Sequence, residues 1–212
     1  MEKKNLTRSF IGVSRHRINT DGDGVTTLAC FYGCPLRCKY CINPQSFADG
    51  TVCERYSPEE LYRKVAIDQL YFLATGGGVM FGGGEPLLHT DFISEFRKIC
   101  GDAWKLHAET SLCVPKENVI EAAGCIDVFY VDCKDTSPDI YKRYTGKDNA
   151  LMLENLRLLV SLVGSERIVV RLPLIPEFNT DADRDASERL LSEMGITRFD
   201  RFNYIIKDKD AK

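Results

Sequence analysis

From Val25 to Ile206 the chain alternates short apolar runs with longer amphipathic segments, and this alternation restricts its fold more than any other feature. Apolar or β-branched runs of about four to eight residues read as strands, and apolar residues recurring every three to four positions read as helices. Strands are expected at Val25 to Tyr32, Gly78 to Phe81, Lys105 to Glu109, Asp127 to Asp132, Arg167 to Pro173 and Arg201 to Ile206. Ser57 with Glu60 and Pro58 opens a helix that should bury Leu61, Val65, Leu70 and Leu73. Thr90 is placed to cap the helix of Phe92, Ile93, Phe96 and Ile99, and Ser137-Pro138 starts another. Leu153, Leu156, Val160 and Val163 stripe the next helix, which Gly164 ends, and a final one runs from about Asp183 to Met194. Six strand-helix repeats with right-handed crossovers imply an α/β fold, a partial (β/α)6 parallel barrel with its chemistry at the strands' C-terminal edge.

The 212 residues, 44% of them hydrophobic, supply one core, so a single domain over 1–212 is expected, with 1–24 as a lead-in. A formal net charge of -3 offers no field for a phosphate backbone, and nucleic acid is not expected as a partner. No apolar run approaches the ~20 residues of a membrane span, and Arg15 interrupts the N-terminal run before a signal-peptide core can form. A cytoplasmic location is expected.

Nine cysteines make an odd number, and four of them, Cys30, Cys34, Cys38 and Cys41, crowd into the twelve residues from Cys30 to Cys41. Such crowding reads as metal ligation before redox chemistry. Cys34-Pro35-Leu36-Arg37-Cys38-Lys39-Tyr40-Cys41 is a CxxxCxxC run. Three thiolates on a four-iron cluster leave one iron open to an exogenous molecule. Zinc or a fully ligated cluster are the alternatives, with Cys30 as the fourth thiolate, although its place in a strand favours a small core residue. Cys53, Cys100, Cys113, Cys125 and Cys133 show no metal spacing and read as structural thiols.

Gly82-Gly83-Gly84-Glu85 follows the second strand. Without side chains, its carbonyls can approach a ligand's ammonium group, with Glu85 adding negative charge; a plain turn fits it too. No GK[ST] follows, which excludes a P-loop. Asp132 and Lys134 share one face at the end of a strand, where Lys134 can pair with a carboxylate or simply be a polar strand exit. Glu109 and Thr110 end the third strand in the same layer. Tyr40 offers stacking area or ordinary packing.

The cysteine run resembles the cluster signature of the radical S-adenosylmethionine (SAM) superfamily. Asp21-Gly22-Asp23-Gly24-Val25 leading into Cys30-Phe31-Tyr32-Gly33-Cys34 is similar to the opening of glycyl-radical-enzyme activases, the group that includes pyruvate formate-lyase activating enzyme. Gly82 to Leu88, Glu109-Thr110-Ser111, Asp132-Cys133-Lys134 and Arg171 to Pro176 match in order. The resemblance implies a 4Fe-4S cluster on Cys34, Cys38 and Cys41, and SAM held by Tyr40, Gly83, Gly84, Glu85, Glu109, Asp132 and Lys134. It also implies a monovalent cation near Glu109, a flavodoxin- or ferredoxin-type electron donor, and a monomer. The expected activity is reductive cleavage of SAM to a 5'-deoxyadenosyl radical, which takes hydrogen from a glycine of a partner glycyl radical enzyme, with Asp21 at the entrance. A radical SAM enzyme acting on a small molecule or peptide is one alternative, and a non-catalytic zinc or iron-sulfur module is another.

The chain departs from that pattern at Thr26, where the group often has arginine, and at Asn203-Tyr204-Ile205, where it has Pro-Tyr-His. Only Cys53 lies between Ile42 and Tyr56, so the eight-cysteine ferredoxin insert of some activases is missing.

Overall fold

The computed structural model describes residues 6–18 and 22–204. Six strands run parallel: β2 (Val25–Phe31), β4 (Gly78–Gly83), β5 (Lys105–Thr110), β6 (Val128–Asp132), β7 (Ile168–Leu174) and β8 (Phe199–Asn203). They are the expected six, with the last beginning two residues earlier than its pattern. Two antiparallel strands extend the sheet beyond β2, β1 (Arg8–Ile18) and β3 (Glu54–Tyr56), giving the order β3-β1-β2-β4-β5-β6-β7-β8. The lead-in therefore contains a strand that its sequence did not announce.

Seven helices join them: α1 (Pro58–Val65), α2 (Gln69–Thr75), α3 (Thr90–Cys100), α4 (Lys116–Ala123), α5 (Pro138–Thr145), α6 (Ala150–Val163) and α7 (Asp181–Glu193). The capping box of Ser57 and Glu60 forms as expected and is worth ~1 kcal/mol. The first helix does not continue to Leu73. A 3-10 turn at Ala66–Asp68 breaks its register, so Phe72 is buried and Leu70 and Leu73 are exposed. The break follows from Asp68, whose buried carboxylate accepts from Arg15 and the Thr27 hydroxyl. Thr90 does not cap α3 either: His89 occupies the cap position, and the Thr90 hydroxyl donates to Glu121 at 2.7 Å.

Alternation along the strands sorts the sheet's two faces. Ala29, Phe31, Val79, Phe81, Leu106 and Phe129 are fully buried in the core that the helices cover. The opposite face carries Met80, His107 and Tyr130 and, two residues further along each strand, Gly82, Glu109 and Asp132. That second row lies at the C-terminal edge, where the cysteine run leaves β2.

Candidate active site

The segment from Cys34 to Cys41 has no regular structure and is held from both sides. Gly33 N–H donates to the Ser46 carbonyl at 2.7 Å. The amides of Arg37 and Lys39 donate to the carbonyls of Thr145 and Tyr144 at 2.9 and 3.1 Å, so the end of α5 fixes the middle of the loop. Arg37 turns back on the Cys34 and Leu36 carbonyls and stacks over Phe47, while Leu36 is buried beneath.

Cys34, Cys38 and Cys41 are half-buried and lie within one another's electrostatic field. Burial pushes the Cys34 thiol up to about 12, and the nearby Glu85 carboxylate and the other two thiols act in the same direction. Burial likewise raises Cys38 to about 11, against the pull of the Lys134 ammonium. The thiolate forms of Cys34 and Cys38 are thus disfavoured while no metal is bound, as burial also disfavours those of Cys125 and Cys133, and a metal ligated by the loop would offset that cost. Among the described residues no three His, Cys, Asp or Glu side chains converge on a single ion site. The ligands of a four-iron cluster sit on separate irons and need no such convergence, so the three-thiol loop fits that group.

The glycine run meets this loop directly. Gly84 and Glu85 amides donate to the Phe31 and Gly33 carbonyls at 2.9 and 2.7 Å, and Asn43, just past the last cysteine, donates to the Gly83 carbonyl at 3.3 Å. Gly83 has φ +90°, and a Cβ there would stand 2.5 Å from that of Cys30; one on Gly84 would stand 2.1 Å from the Gly33 carbonyl oxygen. Neither position admits a side chain. Glu85 is buried, and its carboxylate takes four donors: the Thr110 hydroxyl at 2.6 Å, the Ser111 hydroxyl and amide at 2.6 and 2.8 Å, and the Leu87 amide at 3.2 Å. Burial nevertheless holds its carboxyl above the usual range. Those donors use the lone pairs a ligand ammonium would need, so Glu85 ties β4 to β5 and offers its charge more than a direct contact.

The remaining charges form one network at the ends of β5 to β8. Lys134 is buried, 2.8 Å from Asp132 and 3.1 Å from the Tyr204 hydroxyl. Burial works to lower its pKa, but Asp132 prevails and holds it well above the usual value. Asp132 is held low, since Lys134 and Arg171 together outweigh its burial. Arg171 pairs with Glu109 at 2.5 Å, Asp200 at 3.3 Å and Asp132 at 3.8 Å, and stacks on Phe202. One carboxylate oxygen of Asp132, Oδ1, is buried without a hydrogen bond among the described residues. Arg171 as the hub escaped the sequence reading, which quoted it only as the start of a motif. Its signal was an arginine inside an otherwise apolar strand.

Tyr40 donates to Glu177 at 3.0 Å and packs its ring edge-on to Phe178, so its hydroxyl faces the loop after β7. Glu177 holds φ +69°, the left-handed region, at this contact. Cys30 lies half-buried on β2, level with Gly82. Asp21 and Ile205 lie outside the described residues. Gly22, beside Asp21, rests against the His107 ring, 3.1 Å from where its Cβ would be.

Residues 28–190 match the Radical SAM superfamily. The chain belongs to that superfamily. Its cofactors are accordingly a 4Fe-4S cluster and SAM. The indoleacetate decarboxylase activating enzyme of Tractidigestivibacter scatoligenes is 29% identical over 231 aligned positions, covering 78% of this chain and 72% of that protein. The pyruvate formate-lyase-activating enzyme of Clostridium pasteurianum is 29% identical over 91% of this chain and 86% of its own length. Among solved structures, Streptococcus suis SuiB bound to S-adenosylmethionine superposes with a TM-score of 0.64 at 15% identity, over 84% of this chain. The chain spans only 40% of SuiB, and the likeness is one of fold. This is a radical SAM enzyme of the activase type. No helix among the described residues is long and apolar enough to cross a membrane.

Proposed function

We propose that this enzyme abstracts a hydrogen atom from the α-carbon of a glycine in a partner glycyl radical enzyme. What carries the reading is the meeting of the three-cysteine loop with Gly83, Gly84 and the Asp132–Lys134 pair at the ends of neighbouring strands. The activating-enzyme relatives support it. In this reading residues 1–212 form one radical SAM domain. When bound, the reduced cluster and SAM supply the one-electron cleavage that yields methionine and a 5'-deoxyadenosyl radical.

Each residue then has a task of its own. Cys34, Cys38 and Cys41 hold the cluster. The Gly83 and Gly84 backbone receives the ammonium of SAM, and Lys134 its carboxylate. The Tyr40 ring flanks the adenine, with its hydroxyl already anchored on Glu177. Glu109, paired with Arg171, and Asp132 complete the contacts to SAM, with a monovalent cation beside Glu109. Asp21 receives the incoming glycine loop, a role that rests on sequence alone. A flavodoxin- or ferredoxin-type donor, a monomeric state, a cytoplasmic location and no nucleic-acid partner complete the proposal.

The test mixes reduced, iron-loaded protein, SAM and the candidate partner, and reads electron paramagnetic resonance. A glycine-centred doublet is expected. A small molecule that consumed one SAM per turnover with no partner protein present would replace the partner while retaining the chemistry.

A further inference from the structure

The end of β2 meets the glycine segment through three consecutive carbonyls. Those of Phe31 and Gly33 accept from the Gly84 and Glu85 amides, and the Tyr32 carbonyl between them lies 3.1 Å from Nε2 of His89. A carbonyl only accepts, so Nε2 carries the proton and donates. His89 closes the 3-10 turn Pro86–His89 and stacks on Phe31 with ring centroids 4.6 Å apart. One stretch of chain, from Gly83 to His89, thus carries both the glycines assigned to SAM and all three of these donors.

Two of the three bonds come from the backbone, which every residue but proline supplies. The third depends on a side chain. The peptide unit between Tyr32 and Gly33 has its carbonyl on His89 and its amide on the Ser46 carbonyl at 2.7 Å, so it is held at both ends. Gly33 has φ +104° and no Cβ, and with one end released that peptide is free to rotate. Cys34 follows at once. Burial keeps the His89 ring below its ordinary pKa, so at pH 7 it is neutral and its single N–H is committed to the Tyr32 carbonyl.

We infer that His89 is a positioning residue: it fixes the peptide that leads into Cys34 and so holds the cluster loop in register with the SAM cradle. The inference rests on the assignment of Cys34, Cys38 and Cys41 as cluster ligands and of the Gly83 and Gly84 backbone as the seat of the SAM ammonium. Groups that orient a metal ligand govern a metal site nearly as strongly as the ligands themselves. Here one chain segment serves both partners, its glycines receiving SAM and its histidine holding the base of the loop.

The test compares wild type with His89→Phe, which keeps a ring over Phe31 and removes the donor, and His89→Gln, which removes the ring and keeps a donor at similar reach. All are reconstituted anaerobically. Iron content is read first, then SAM affinity by calorimetry and the electron paramagnetic resonance of the reduced cluster with and without SAM. Both variants should take up iron as wild type does. SAM affinity should fall about fivefold in His89→Phe, with a smaller SAM-induced spectral change, and stay within about twofold of wild type in His89→Gln. Wild-type affinity and spectrum in His89→Phe, or equal losses in the two variants, would leave His89 as packing and overturn the inference. Should His89→Phe take up no iron, His89→Gln must still take it up, and failure of both alike overturns the inference too. A wild type that binds no iron, or a Cys34→Ala variant that keeps it, would overturn the ligand assignment and this inference with it, so the two failures read differently.

Discussion

Two rows of the same sheet face, two residues apart along each strand, carry opposite chemistry. Glu109, Asp132 and Arg171 form the outer row, a paired charge network that continues to Lys134. His107, Tyr130 and Val169 form the inner row, each two positions earlier on the same strand, and none bears a charge at neutral pH. Burial holds His107 down to about 4, and both its ring nitrogens lack partners among the described residues. The fold therefore gathers charge at the C-terminal edge beside the cysteine loop and keeps the interior one step below it neutral. A charged ligand can be met at the edge without any charge having to be buried beneath it.

The comparison breaks most completely at the loop. Alanine at Cys34, Cys38 or Cys41 should reduce iron from about four per chain to a residue of nonspecific metal and remove the brown absorbance of a thiolate-held cluster. Cys30→Ala, on the strand below, should retain both. Iron analysis of four variants checks this, and an equal loss with Cys30→Ala would point to a fully ligated cluster.

A smaller effect is expected within the outer row. Lys134→Met should weaken SAM binding by about tenfold or more, the ~1.5 to 3 kcal/mol of a hydrogen bond to a charged group, with iron content intact. Glu85→Gln should weaken it less, because the Glu85 oxygens already serve Thr110, Ser111 and Leu87. Glu85→Ala is the wrong probe, since it would strand those donors and destabilise the fold itself. Calorimetry on the two reconstituted variants gives the ranking, and equal losses would restore Glu85 as a direct ligand contact.

The row structure shows what the sequence could disclose. The six parallel strands were legible because each is a short apolar run between helix-period segments, and the cysteine and glycine runs were legible because their spacing is local. β1 was not, since Arg8–Ile18 mixes four basic residues into an edge-side strand with two register shifts. α4 was missed as eight residues with proline at the cap and no side-chain cap. Leu70 and Leu73 were misplaced because the buried Asp68, satisfied by residues far along the chain, outweighs the helical period. Arg171 takes its meaning from contacts with residues of three other strands, which no local pattern encodes.

The inner row supplies the smallest and most direct test of its neutrality. In the unfolded chain His107 titrates near 6.5, whereas in the folded protein it does so at about 4, its burial outweighing Asp127 and Asp23, which pull upward. The folded state thus binds fewer protons than the unfolded state between these values, and stability falls as pH drops through that window. Above about pH 6.5 both states are neutral at this position and the contribution is complete. Between pH 7 and 5.5 the expected loss from this residue is about 1 kcal/mol. His107→Phe should abolish that increment, leaving the slopes from His89 and the carboxylates in place. Denaturant midpoints of wild type and variant at the two pH values isolate the difference. If the variant loses as much stability as wild type on acidification, His107 is not the neutral residue of the inner row, and the sorting of charge along these strands does not extend below the edge.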